Sequence, residues 1–131
     1  MTFIKKITTL LFISLFVFVN AKAQKAGKQV QINAISSVYV LPTATEEEAK
    51  KLGDYLLSVN FFDTDKPRAV QLTKVGKKYI VRFIVEADKQ YLKENPSLRK
   101  TFTEKAPELS QNVFNGARVV VELINGGFRK L

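Results

Sequence analysis

Neither cysteine nor histidine occurs anywhere in the 131 residues, and tryptophan is absent too. Without cysteine there are no disulfides, no thiol nucleophile and no lipid-carrying cysteine of the lipoprotein kind. Without histidine the commonest general base and the commonest transition-metal ligand are missing. Zinc sites, Ser-His-Asp hydrolysis and Cys-His catalysis are thereby excluded, and the residues name no cofactor and no metal. Glycine is sparse at six, and its one adjacent pair, Gly126-Gly127, sits in turn context rather than in a phosphate loop. Stability has to come from an apolar core.

The N-terminus carries Lys5 and Lys6, an apolar block over residues 7–19 broken only by Thr8, Thr9 and Ser14, and then Asn20-Ala21-Lys22-Ala23-Gln24. That order is the n-region, h-region and small-residue cleavage site of a secretory signal, with cleavage expected after Ala23. The block is shorter than the roughly 20 residues a membrane span requires, so no membrane span is expected after cleavage. The expected organisation is a signal peptide over 1–23, a flexible polar leader over 24–33, and one domain over 34–131. The expected location is the periplasm or the exterior. Three of the 21 basic residues leave with the signal, so 18 face 12 acids, a net charge of +6. Such a charge favours an anionic envelope component as a partner, and export argues against nucleic acid.

Residues 35–41 are β-branched and aromatic and predict a strand ended by Pro42. Thr45-Glu46-Glu47-Glu48 is a capping box, and Ala49, Leu52 and Leu56 continue it as a helical stripe that fails near Asn60. At least one of Phe61 and Phe62 is expected to fold back onto the core. Asp63-Thr64-Asp65-Lys66-Pro67 is turn chemistry rather than a calcium loop. Residues 68–86 predict a hairpin about Val75-Gly76-Lys77-Lys78. Helical structure follows from about Tyr91, restarts at Asn95-Pro96 and breaks at Lys105-Ala106 ahead of Pro107, and Gly116 ends it in the left-handed conformation. Residues 117–124 predict a strand, Asn125-Gly126 a tight turn, and residues 128–131 a short returning arm.

The order β-α-β-β-α-β points to an α+β, ferredoxin-like (split βαβ) two-layer sandwich: an antiparallel sheet, two helices on one face, and a C-terminal β-hairpin arm. Other two-layer α+β sheets fit the same order. Alternation then puts Ile80, Arg82 and Ile84 of one strand and Arg118, Val120 and Glu122 of another on the face away from the helices, with Tyr39 or Val40 beside them. A face mixing branched apolar residues with arginine suits a protein partner or self-association.

The segments Thr45-Glu46-Glu47-Glu48-Ala49, Val70-Gln71-Leu72 and above all Glu108-Leu109-Ser110-Gln111-Asn112-Val113-Phe114-Asn115-Gly116 resemble a family of uncharacterised small domains in exported or envelope-associated bacterial proteins. The resemblance spans residues 38–131 and implies a domain without an activity. No catalytic residue is assigned. Three functional classes follow: a non-enzymatic binding or adaptor module of the envelope, a carboxylate-dependent hydrolase of envelope polymer, and a self-associating structural protein.

Overall fold

The computed structural model describes residues 26–63 and 65–131. The signal peptide and its cleavage site lie outside the described residues. Among the described residues, strands and helices follow in the order β1 (Lys28–Gln31), β2 (Ser36–Val40), α1 (Glu46–Ser58), β3 (Arg68–Val75), β4 (Lys78–Ile84), α2 (Lys89–Glu94), α3 (Pro96–Thr103), α4 (Ala106–Asn112) and β5 (Val119–Ile124).

Local chemistry accounts for most of these boundaries. Thr45 caps α1 in a complete capping box with Glu48, and Asn60, just beyond the helix, takes a φ of 62°. Asp63 Oδ1 accepts the amides of Asp65 and Lys66 and shapes the turn into β3. Asp88, whose role the sequence reading missed, caps α2 by accepting from the Tyr91 amide at 2.7 Å. Helix α3 opens on Pro96, and α4 restarts with Pro107 in its first turn, so the expected break falls between Thr103 and Ala106. Gly116 adopts φ 85° beyond α4, where a side chain would be strained.

The sheet order is β1-β2-β3-β4-β5. β1 pairs antiparallel with β2, β2 parallel with β3, β3 antiparallel with β4, and β4 parallel with β5. The α+β class holds, but the ferredoxin-like plan does not describe this sheet. In a split βαβ, strands joined through a helix are separated by another strand, whereas here each helical crossover joins direct neighbours and the sheet is mixed. Both crossovers step the same way across the sheet along strands of opposite direction. Their helices share one core on one face, so the two crossovers have opposite hands, and one departs from the usual right-handed rule.

Lys28–Gln31, expected within a flexible leader, form an edge strand instead. Only Val30, with Ile32 just beyond it, reaches the core, which is why the segment reads as polar. At the other end the arm makes a single bridge, Ile124 to Lys130, with Leu131 N–H donating to Leu123 O at 3.0 Å, rather than a full strand.

The core lies between the sheet and the helices. Val38, Val70, Leu72, Val81, Phe83, Val121 and Leu123 meet Ala49, Leu52 and Leu56 of α1 and Leu92, Leu109, Val113 and Phe114 of the second crossover. Phe62 is buried, and Phe61 packs edge-on against Phe83 and Phe102. Phe114 stacks on Tyr79 at 4.1 Å, completing the core beside β5.

Candidate functional site

Alternation along the strands and the strand registers divide the face away from the helices into three rows. The middle row crosses all five strands: Gln29, Tyr39, Gln71, Arg82 and Glu122. The row nearest the C-terminal end of β5 contains Gln31, Ser37 and Ala69, followed by Ile84 and Ile124. The row at the opposite end contains Thr73, Ile80 and Val120.

Three members of the middle row form a polar network. Arg82 Nε donates to Glu122 Oε1 at 2.9 Å, and its Nη1 donates to Gln71 Oε1 at 3.0 Å. Lys130 of the arm approaches Glu122 Oε2 at 3.0 Å, and Gln71 Nε2 donates to the carbonyl of Ala26 at 3.0 Å. Gln71 is only 2 % exposed although it points away from the helical layer, because chain segments from both ends of the domain lie over the row. Burial pushes the Glu122 carboxyl up, but hydrogen bonds from Arg82 and Lys130 outweigh it and the net shift is downward.

Phe128, in the turn that leads into the arm, meets the Tyr39 ring edge-on at 5.3 Å. Ile124 is buried although it belongs to the same face and stands outside the core cluster under the helices. The face expected to be open is thus partly covered by its own chain.

Of the six residues expected there, five share the face. Arg82 and Glu122 are paired with each other, Ile80 and Val120 are half-buried at one end, and Ile84 is half-buried at the other. Arg118 is exposed just before β5, where its backbone carbonyl accepts from the Tyr79 amide. Tyr39 joins the face, whereas Val40 belongs to the core.

What remains open is a groove of about 500 Å³ along the row nearest the C-terminal end of β5. Ser37 and Ala69 are small and line it, Tyr39, Ile35 and Pro67 add larger side chains, and Gln29, Gln31, Arg68 and Glu86 bring polar groups to it. A second groove of about 420 Å³ shares Pro67, Arg68, Ile84 and Glu86 and continues round the end of the sheet, where Phe61, Tyr91, Leu98 and Phe102 line it. The signal for these grooves in the sequence was the pair of small residues at matching positions of two apolar strands. Recognising it required knowing that β2 and β3 are neighbours.

The carboxylates do not converge. Glu86 is the one acid lining either groove. Glu48 is engaged by Thr45 and the Tyr79 hydroxyl, and Glu122 by Arg82 and Lys130. Glu108 bonds the Tyr55 hydroxyl, whose pKa burial and that contact raise to about 12. Among the described residues no group of three or more acidic side chains is arranged to hold a metal ion, and no helix is long and apolar enough to cross a membrane.

No curated protein and no solved structure matches the chain. A family model, AF_1994_N, described as a family N-terminal domain, matches residues 29–131, beginning within β1 and including the arm. That span covers most of the 131 residues. The description names a domain and no activity, in keeping with the resemblance to small uncharacterised domains. The chain belongs to this N-terminal domain family.

Proposed function

We propose that this chain is a non-enzymatic binding module, exported by its N-terminal signal and acting in the bacterial envelope, that engages a protein partner through the groove over Ser37 and Ala69. The groove is the observation that carries the reading. It lies on the sheet face away from the helices, and small side chains line a concavity that Tyr39, Ile35 and Pro67 bound with larger ones. Concave, partly apolar surfaces with a few polar groups are where proteins take ligands. The dispersal of the carboxylates supports binding rather than hydrolysis, which needs two acids facing one cleft.

The test is site-specific photocrosslinking in cells from Ile35 at the groove edge, compared with Lys77 at the far end of the sheet. A discrete adduct from Ile35 that vanishes when Ala69→Trp fills the groove supports the reading. An adduct whose mass is twice that of the chain assigns the groove to self-association instead. Identical adducts from both positions, or indifference to Ala69→Trp in a folded variant, would remove it.

A further inference from the structure

The groove at the sheet end is built around Arg68, which also borders the first groove. Among the described residues, two buried side-chain polar atoms lack a hydrogen-bond partner, Ser36 Oγ and Arg68 Nε. They belong to register partners: Ser36 opens β2, Arg68 opens β3, and the two lie side by side on the same face of the sheet. Ser36 is 1 % exposed. Of the two, Arg68 lines the groove and Ser36 does not. An orphaned buried donor is rare because it costs the full desolvation of the group, so the Arg68 guanidinium is the group here that calls for an acceptor.

Arg68 is also held in place. Its guanidinium lies 5.0 Å from the centre of the Phe61 ring. That ring is fixed in turn by Phe62 at 5.6 Å, Phe83 at 5.1 Å and Phe102 at 6.3 Å. Arg68 is in none of the ion pairs of the described residues. Asp63 spends one carboxylate oxygen on the amides of Lys66 and Asp65, and those bonds, helped by Arg68, hold its carboxyl below the ordinary value. A preorganised planar fork of donors on an aromatic base matches a carboxylate.

Beside Arg68 the groove has an apolar wall. Phe61, Val85, Ala87, Leu98 and Phe102 line it, and Tyr91, half exposed, stands at its edge. Lys66 adds a positive charge and Glu86 a negative one, so with Arg68 the lining carries a net charge of one positive. That balance suits one negative charge and disfavours a dianion. The volume of about 420 Å³ falls in the range of small-molecule sites.

We propose that this groove binds a small monocarboxylate with an apolar body, its carboxylate on Arg68 and its body against Phe61, Leu98 and Phe102. This groove shares Pro67, Arg68, Ile84 and Glu86 with the first, but its apolar wall of Phe61, Leu98 and Phe102 is its own.

The experiment is a titration of the purified protein, followed by backbone amide shifts, with 4-phenylbutyrate, with 4-phenylbutan-1-ol and with inorganic phosphate. The acid should give saturable shifts at Phe61, Val85 and Leu98. The alcohol should bind at least about tenfold more weakly, the scale expected for losing a charge-assisted hydrogen bond. Phosphate should give no saturable shift there. Arg68→Gln should weaken the acid by a similar factor without changing the alcohol. Equal binding of acid and alcohol would overturn the proposal, as would saturable phosphate binding. Absence of any response to the acid would also overturn it and leave solvent as the partner of Arg68. The comparison of ligands on the unmodified protein decides the matter even if Arg68→Gln fails to fold.

Discussion

Gly53 sits in the middle of α1, where alanine is ordinarily better by about 1 kcal/mol. A Cβ at that position would come within 2.3 Å of Ile32 Cδ1 and 2.5 Å of its Cγ1, far inside contact distance. The Ile32 amide donates to Ser36 O at 2.9 Å and fixes its backbone in the turn between β1 and β2, so room can come only from the side chain leaving its seat against α1 and the core. Overpacking of this kind costs about 1–3 kcal/mol. Subtracting the helix gain, Gly53→Ala should destabilise the domain by about 1 kcal/mol. In an Ile32→Ala background the obstacle is gone, and the same substitution should stabilise by about 1 kcal/mol, a coupling of about 2 kcal/mol between the two positions. Urea unfolding of the four proteins, followed by far-ultraviolet circular dichroism with a common slope, measures it. The consequence reaches the candidate site, because Ile32 follows the strand whose Gln29 and Gln31 line the groove. If Gly53→Ala stabilised both backgrounds equally, β1 would not be seated on α1 as described.

Glu122→Gln should remove a pH-dependent contribution to stability. The carboxyl sits below its ordinary value in the folded protein, so its contribution is present above that ordinary value and fades as pH falls through the folded one. The stability gap between wild type and variant should therefore be largest near neutrality and close between about pH 5 and pH 3, and a constant gap across that window would contradict the network. Phe128→Ala should cost about 1 kcal/mol by losing the Tyr39 contact and should speed amide exchange at Leu131, so unchanged protection there would show that the ring does not hold the arm. Thr45→Ala should destabilise by about 1 kcal/mol in a denaturant titration, through loss of the capping box at the start of α1.

The local elements were legible because their causes are local. The Thr45 box, the proline at the start of α3, the break before Pro107, the Gly76 turn and the left-handed Gly116 each follow from a few adjacent residues. Period-two alternation likewise separated the core face of β4 from the face that carries Ile80, Arg82 and Ile84. Strand order was a different matter. The apolar alternation of β2 and β3 is the same whether they are neighbours or are separated by another strand, so the sequence alone allowed the split plan and the structure pairs them directly. Polar β1 was invisible because an edge strand needs little apolar surface, and only Val30 and Ile32 tie it to the core. What covers the far face was also decided by tertiary structure: Phe128 on Tyr39, Lys130 on Glu122 and Ala26 on Gln71 join residues remote in the chain. The seat of Arg68 is of the same kind. Its guanidinium meets Phe61, and Phe61 meets Phe83 and Phe102, only because the segment before β3 packs against β4 and α3.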